Sequence, residues 1–302
     1  MVKLSTGDQV RRWIRRAHIT NYLFILPALA VYLLYVAFPV WRILYDSLSD
    51  WSGWSEKDRQ FIALANYVEL FTEDKWFLAA IKHNLIWFVV SVGATLLIGF
   101  ITAYMLNQKL RFRDAYRTSI FLPLTTSAVV VAFAWQYFYQ PNYGIINEIL
   151  RPLGLEQQFL GDYKWALYWI ILANIWHTAG FSMVIYLAGL QTIPGDLVDA
   201  ALVDGATVLQ RIWHVVIPML WPSTAALLIL GAIGSVRTFE YVFILTRGGP
   251  YHATDVIAIT IFQAAFQNQR QGYASAVSVV LLIFALIITA IQLRMYKGAH
   301  QT

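Results

Sequence analysis

Six stretches of the chain contain no Asp, Glu, Lys or Arg: Ala17–Trp41, His83–Gln108, Thr118–Asn147, Trp165–Gly195, Ile212–Val236 and Gln271–Leu293. Each exceeds the ~20 residues that a helix rising 1.5 Å per residue needs to cross ~30 Å of hydrocarbon. They are far longer than the roughly ten-residue alternating strands of a membrane barrel, and only helices and closed barrels satisfy their backbones in lipid. The pattern therefore predicts an all-α fold: a polytopic membrane protein with six transmembrane helices, centred on Tyr22–Tyr45, Leu85–Leu106, Thr118–Tyr139, Ala166–Leu190, Ser223–Leu245 and Tyr273–Met295. A shorter run, Val256–Gln269, carries Gln263, Gln267 and Asn268 and predicts a surface or re-entrant helix. The predicted organisation is a basic tail over 1–20, a six-helix domain over 21–298 and a short tail over 299–302.

Basic residues in short connections set orientation. Lys3, Arg11, Arg12, Arg15, Arg16, Lys109, Arg111, Arg113, Arg117, Arg211, Arg294 and Lys297 all fall on one side, where acids leave a net charge of +7. The opposite face carries a net charge of −3, so both termini are predicted to be cytoplasmic. The first run has twenty-five uncharged residues, which exceeds the 7–15-residue core of a secretory signal and predicts a retained helix. Before it, Val10, Trp13 and Ile14 alternate with arginines as in an amphipathic helix at the headgroups; a loose basic topology signal fits equally.

Composition narrows the class further. With 59% hydrophobic and 13% charged residues, against about 25% charged in soluble chains, the protein is neither a soluble enzyme nor disordered nor collagen-like. The +5 total is a difference between two membrane sides and does not mark a nucleic-acid binder. Cysteine is absent, and the six histidines lack ligand spacing, so no metal site is predicted. Tyr163, Trp165, Tyr168 and Trp169 read as an interfacial aromatic belt.

The connection between helices four and five, 191–222, is the most unusual polar stretch. Pro194 and Gly195 end helix four, Asp196 is placed to cap a new helix, and Leu197, Ala200 and Ala201 share one face before Gly205 breaks it. Such a segment serves as a plain linker or as a knob for another protein's groove. The stretch Asp199–Pro222 resembles the signature loop of binding-protein-dependent ABC transporter permeases: Asp199-Ala200-Ala201, then Gly205 within Asp204-Gly205-Ala206, then Ile217-Pro218. Asp199 stands where Glu is usual, which keeps the charge and shortens its reach. Further matches resemble the carbohydrate-uptake branch: Ala63–Phe71, Tyr116–Pro123, Asn142–Asn147, Phe239–Pro250 and Gly272–Val279.

The resemblance implies a MetI-like permease fold, set in a bacterial or archaeal cytoplasmic membrane. It also implies a heterodimer with a second, similar permease, two cytoplasmic ATPase subunits, an extracytoplasmic solute-binding protein and a sugar or oligosaccharide as cargo. The coupling helix, Asp196–Leu209, would transmit closure of the ATPase dimer. No Gly-x-x-x-x-Gly-Lys-Ser/Thr loop occurs, so the chain is expected to hold no cofactor and any ATP belongs to the partner subunits.

Polar residues deep in a membrane helix face the bundle interior or a water-filled cavity. In helix four, Asn174, His177, Thr178 and Phe181 recur at i, i+3, i+4 and i+7, and in helix five Gly231, Gly234, Ser235 and Thr238 do the same. Amide and hydroxyl groups suit sugar hydroxyls, an aromatic ring suits the apolar sugar face, and glycines leave room. Helix-to-helix packing alone accounts for such stripes equally well. Arg237 and Glu240 stand one turn apart, in reach of each other or of another subunit; Arg237 is otherwise suited to an anion such as a sugar phosphate, for example glycerol phosphate. A standalone channel or secondary carrier would need titratable groups along the path, and an intramembrane enzyme a nucleophile–base or metal pair; neither pattern occurs.

Overall fold

The computed structural model describes residues 24–299; the basic tail predicted over 1–20 and residues 300–302 lie outside them. In chain order the principal elements are α1 (Phe24–Asp46), a two-stranded hairpin of β1 (Ser49–Asp50) and β2 (Gln60–Phe61), α2 (Ala65–Thr72) and α3 (Lys75–Leu106). They continue with α4 (Arg113–Thr125), α5 (Ala128–Phe138), α6 (Ile145–Leu150) and α7 (Ala166–Gln191). After these come α8 (Gly195–Val203), α9 (Val208–Met219), α10 (Trp221–Val236), α11 (Glu240–Leu245), α12 (Ile257–Gln267) and α13 (Gln271–Ala299).

Four helices are long and apolar enough to cross a membrane unbroken, and two bent pairs complete the six spans. Span two is longer than its uncharged run, because Lys75 and Lys82 belong to it. It begins where the Asp74 carboxylate accepts the Trp76 and Phe77 N–H groups at 2.9 and 3.0 Å.

Span three departs from the prediction of one continuous helix over Thr118–Tyr139: α4 and α5 meet at 97°. Pro123 has no N–H to donate, the Thr125 hydroxyl turns back to the Leu122 carbonyl at 2.8 Å, and Thr126 is extended. Span five also departs. Predicted over Ser223–Leu245, the helix stops at Val236, and α11 starts anew at Glu240. A second bend, 65°, separates α9 from α10 on the other side.

Irregular backbone at membrane depth persists only where protein satisfies it or where it lines a cavity. Here side chains do so. His177 Nε2 meets the Thr126 carbonyl at 3.0 Å, Asn84 Nδ2 donates to the Ser235 carbonyl at 2.7 Å, and Gln136 Nε2 donates to the Ile244 carbonyl at 2.9 Å.

The bundle centres on α7, which packs along α3 and buries Ile170, Ile171 and Met183 completely. Small residues allow the approach: a Cβ at Gly99 would stand 2.5 Å from that of Ser182, and one at Gly180 would stand 2.4 Å from the Ile120 carbonyl oxygen. On the less basic side, α1, the hairpin, α2 and α13 form a polar cap. Asn66 Nδ2 donates to the Ser47 and Ser49 carbonyls at 2.9 and 3.0 Å, and Arg270 forks onto Glu69 with both bonds at 2.6 Å. Arg59 lies 4.0 Å over the Trp51 ring and pairs with Asp46.

Helix α1 leaves the bundle. Its Phe38–Asp46 end packs on α13, whereas Phe24 and Tyr35 are 81% and 72% exposed.

Candidate translocation site

Three spans line an open-sided cavity of about 310 Å³. Of the residues predicted for substrate contact, Asn174, Thr178 and Phe181 come to it from α7, Gly231, Gly234 and Ser235 from α10, and Thr238 from the break that follows. The two stripes do face one another across open space. A Cβ added at Gly234 would have nothing within 4 Å, whereas one at Gly231 would stand 2.7 Å from a Val92 methyl. Gly234 therefore leaves room in the cavity, and Gly231 lets α10 approach α3.

Residues of α3 that the helix-four and helix-five stripes did not reveal supply the third wall: Trp87, Ser91 and Thr95, with Val92 and Leu96. The signal was present in the sequence, since Trp87, Ser91 and Thr95 recur at i, i+4 and i+8 within an uncharged run.

The hydroxyls around the cavity are largely committed as donors. Thr178 Oγ1 donates to the Asn174 carbonyl, Ser235 Oγ to the Ala232 carbonyl and Thr95 Oγ1 to the Val92 carbonyl, at 2.8, 2.8 and 3.0 Å. Their remaining lone pairs are acceptors. Ser91 Oγ donates to Asn174 Oδ1 at 2.7 Å, so the Asn174 amide is the wall's principal source of N–H groups.

His177 departs from the prediction that placed it on this face. It does not line the cavity; it is 7% exposed and turned toward α5 and α11, where Nδ1 is 2.6 Å from the Tyr241 hydroxyl and Nε2 meets Thr126. Both ring nitrogens have partners inside the protein, which removes it from the set able to meet substrate. Arg237 and Glu240 also depart from helical spacing, because α10 ends at Val236, α11 starts only at Glu240, and Phe239 between the pair adopts φ −143°, ψ −55°. Both are exposed, and no ion pair joins them among the described residues.

The 191–222 segment stands away from the bundle. Helix α8 has no buried residue, Asp199, Ala200 and Asp204 are exposed, and Ala201 and Ala206 are half-buried. Asp196 is not the cap that its position suggested: α8 starts one residue earlier, at Gly195, and Asp196 lies in the first turn, where its charge still favours the helix dipole. The break predicted at Gly205 is present, with φ +77°, and Thr207 then opens α9 with a capping box to Gln210, so the coupling helix that the resemblance implied over Asp196–Leu209 is two helices. No neighbour lies within 4 Å of a Cβ built on Gly205. Ile217 is half-buried and Pro218 exposed on α9.

Residues 95–299 match the family described as the inner membrane component of binding-protein-dependent transport systems. The chain belongs to this family. A probable ABC transporter permease of Bacillus subtilis, YurN, is 34% identical over 288 residues, covering 94% of this chain and 98% of the relative. The trehalose/maltose transport permease MalF of Thermococcus litoralis is 32% identical and covers 91% of this chain and 92% of its own. Among solved structures, a bacterial ABC transporter involved in import of the acidic polysaccharide alginate superposes with a TM-score of 0.82 at 28% identity, covering 96% of this chain and 99% of that one. The permease thus carries the MetI-like fold expected of its signature loop, and it is a multi-pass membrane protein.

Proposed function

We propose that this permease forms one half of the pathway of an ATP-driven sugar importer, receiving its cargo from a solute-binding protein. The cavity between α3, α7 and α10 carries the reading: an uncharged chamber offering amide N–H groups, hydroxyl lone pairs and the faces of Trp87 and Phe181 matches the chemistry of a neutral sugar. The trehalose/maltose relative supports the same class of cargo. A second, similar permease supplies the other wall in a heterodimer and covers the exposed length of α1. Two separate ATPase subunits engage α8 and Gly205 from the cytoplasm, where both termini also lie; the +7 charge of that side supports this orientation.

The test begins with a thermal-shift screen of the binding protein encoded beside this chain against sugars, sugar phosphates and polyols. The stabilising compound is then followed into proteoliposomes holding the assembled transporter. Uptake that needs ATP and is reduced at least tenfold by Asn174→Ala supports the reading. Uptake by the purified permease without ATPase subunits overturns it in favour of a standalone carrier.

One observation favours a second cargo class. Arg237 is exposed beside cavity-lining Thr238 and is not neutralised by Glu240, and a guanidinium presents paired donors to phosphate, sulfonate or carboxylate oxygens. The alginate importer, whose cargo is acidic, supports it. A screen in which only anionic sugars stabilise the binding protein, with uptake abolished by Arg237→Gln, decides for this class.

A further inference from the structure

His177 is buried in the membrane-spanning bundle and is not in the cavity, yet both its nitrogens are engaged in a chain that ends there. The Thr126 carbonyl lies 3.0 Å from Nε2 and, having no proton of its own, accepts only. Nε2 therefore carries the ring hydrogen, and Nδ1 of the neutral imidazole has a bare lone pair. The Tyr241 hydroxyl, 2.6 Å from Nδ1, must donate to it. With its one hydrogen spent, the Tyr241 oxygen presents only lone pairs to its other neighbour, the Asn174 side chain. Lone pairs select the NH₂ end of that amide. The Oδ1 end is left to Ser91 Oγ, which donates to it at 2.7 Å.

We propose that His177 is a positioning residue that fixes the orientation of the Asn174 amide, so that the cavity presents one N–H of Asn174 to an oxygen acceptor on the cargo. Each link admits one donor direction, and the direction is set by a backbone carbonyl exposed by the break in span three. Without the imidazole, the Tyr241 hydroxyl is free to donate to Oδ1. The amide then turns over, and its NH₂ group faces Ser91. The inference rests on the cavity being the substrate site, but the amide orientation is measurable without any substrate.

The test uses the full-length permease in lipid, labelled with ¹⁵N at asparagine and histidine, with the two signals assigned by loss in Asn174→Ala and His177→Gln. In the native protein, His177 shows the neutral Nε2–H form with Nδ1 as a hydrogen-bond acceptor, and the Asn174 NH₂ protons show through-space contacts to the Tyr241 ring. In His177→Phe, where the Tyr241 hydroxyl is free to donate to Oδ1, those contacts move to the Ser91 methylene protons; in Tyr241→Phe, which has no hydroxyl to compete with Ser91, they stay at the ring of residue 241. In His177→Gln, whose amide also offers one donor and one acceptor, the native contact pattern is retained. An Nδ1–H or doubly protonated ring, NH₂ contacts to Ser91 in the native protein, or an unchanged pattern in His177→Phe overturns the proposal. The ring tautomer and the amide contacts of the native protein are read even if His177→Phe does not fold. Normal uptake in Asn174→Ala defeats the substrate-site reading separately and leaves these spectra unaffected.

Discussion

Asn84 Nδ2 lies 2.7 Å from the Ser235 carbonyl oxygen, which is the acceptor that α10 leaves open where it ends at Val236. The same side chain uses Oδ1 to accept the Ile257 N–H at 2.9 Å, at the start of α12. One buried amide thus joins the end of α10 to the start of α12, across 151 residues of sequence to the first and 173 to the second. Asn84→Leu, similar in volume, leaves a donor and an acceptor unpaired in an apolar setting, each costing about 1–3 kcal/mol. The expected result is a clear drop in the thermal midpoint of the detergent-solubilised protein, followed by tryptophan fluorescence. Asn84→Gln, which keeps both polar ends, should lose less.

Gly234 and Gly231 make opposite predictions despite their shared stripe. Gly234→Val projects into the chamber, where a Cβ meets nothing within 4 Å, so the protein should keep its stability while uptake falls at least tenfold. Gly231→Ala drives a methyl to 2.7 Å from a Val92 Cγ, so α10 or Val92 must shift, at about 1–3 kcal/mol for an overpacked site. Adding Val92→Ala should restore much of that loss. Melting curves for the two single variants and the double variant, set beside uptake rates, separate occupation of the chamber from helix packing.

The spans were legible because charge is costly in hydrocarbon, so six uncharged runs outline them whatever the tertiary contacts. The breaks were not legible. Thr126 and Ser235 expose carbonyls that His177 and Asn84 satisfy from 51 and 151 residues away, and no local pattern records such a partner. The same distance effect misplaced His177. Its spacing from Asn174 and Thr178 put it on their face, but the ring turned toward the Thr126 carbonyl in the break of span three and the Tyr241 hydroxyl on α11. The third wall of the chamber was readable from Trp87, Ser91 and Thr95 by the same periodicity that exposed the other two.

Gly205 offers a test of coupling that folding does not confound. Its φ of +77° disfavours any side chain by about 1–2 kcal/mol, yet among the described residues no atom beyond its two chain neighbours lies within 4 Å of the added Cβ. Gly205→Trp should therefore reach the membrane and melt within a few degrees of the native protein. ATPase activity stimulated by loaded binding protein should be lost, because the new ring occupies the surface offered to a cytoplasmic subunit. Gly205→Ala, strained but small, should keep part of the stimulation. Equal, full stimulation in all three proteins would remove this segment from the coupling path.

The loop between α11 and α12 should make stability depend on pH through Asp255. Burial raises its carboxyl above the ordinary carboxylate range, and the hydrogen bond and charge of His252 oppose that shift without cancelling it. A folded-state pKa above the unfolded value means that the native state binds the proton more tightly. The stabilising contribution is present below the unfolded value, ~3.9, and is lost as pH rises through the higher folded value. Melting midpoints should thus fall, relative to those of Asp255→Asn, which cannot titrate, as pH rises above about 4. His252→Gln removes the opposing partner, so the relative fall should extend to higher pH. Parallel curves for the native protein and Asp255→Asn across this range would show that the carboxyl titrates as it does in the unfolded chain.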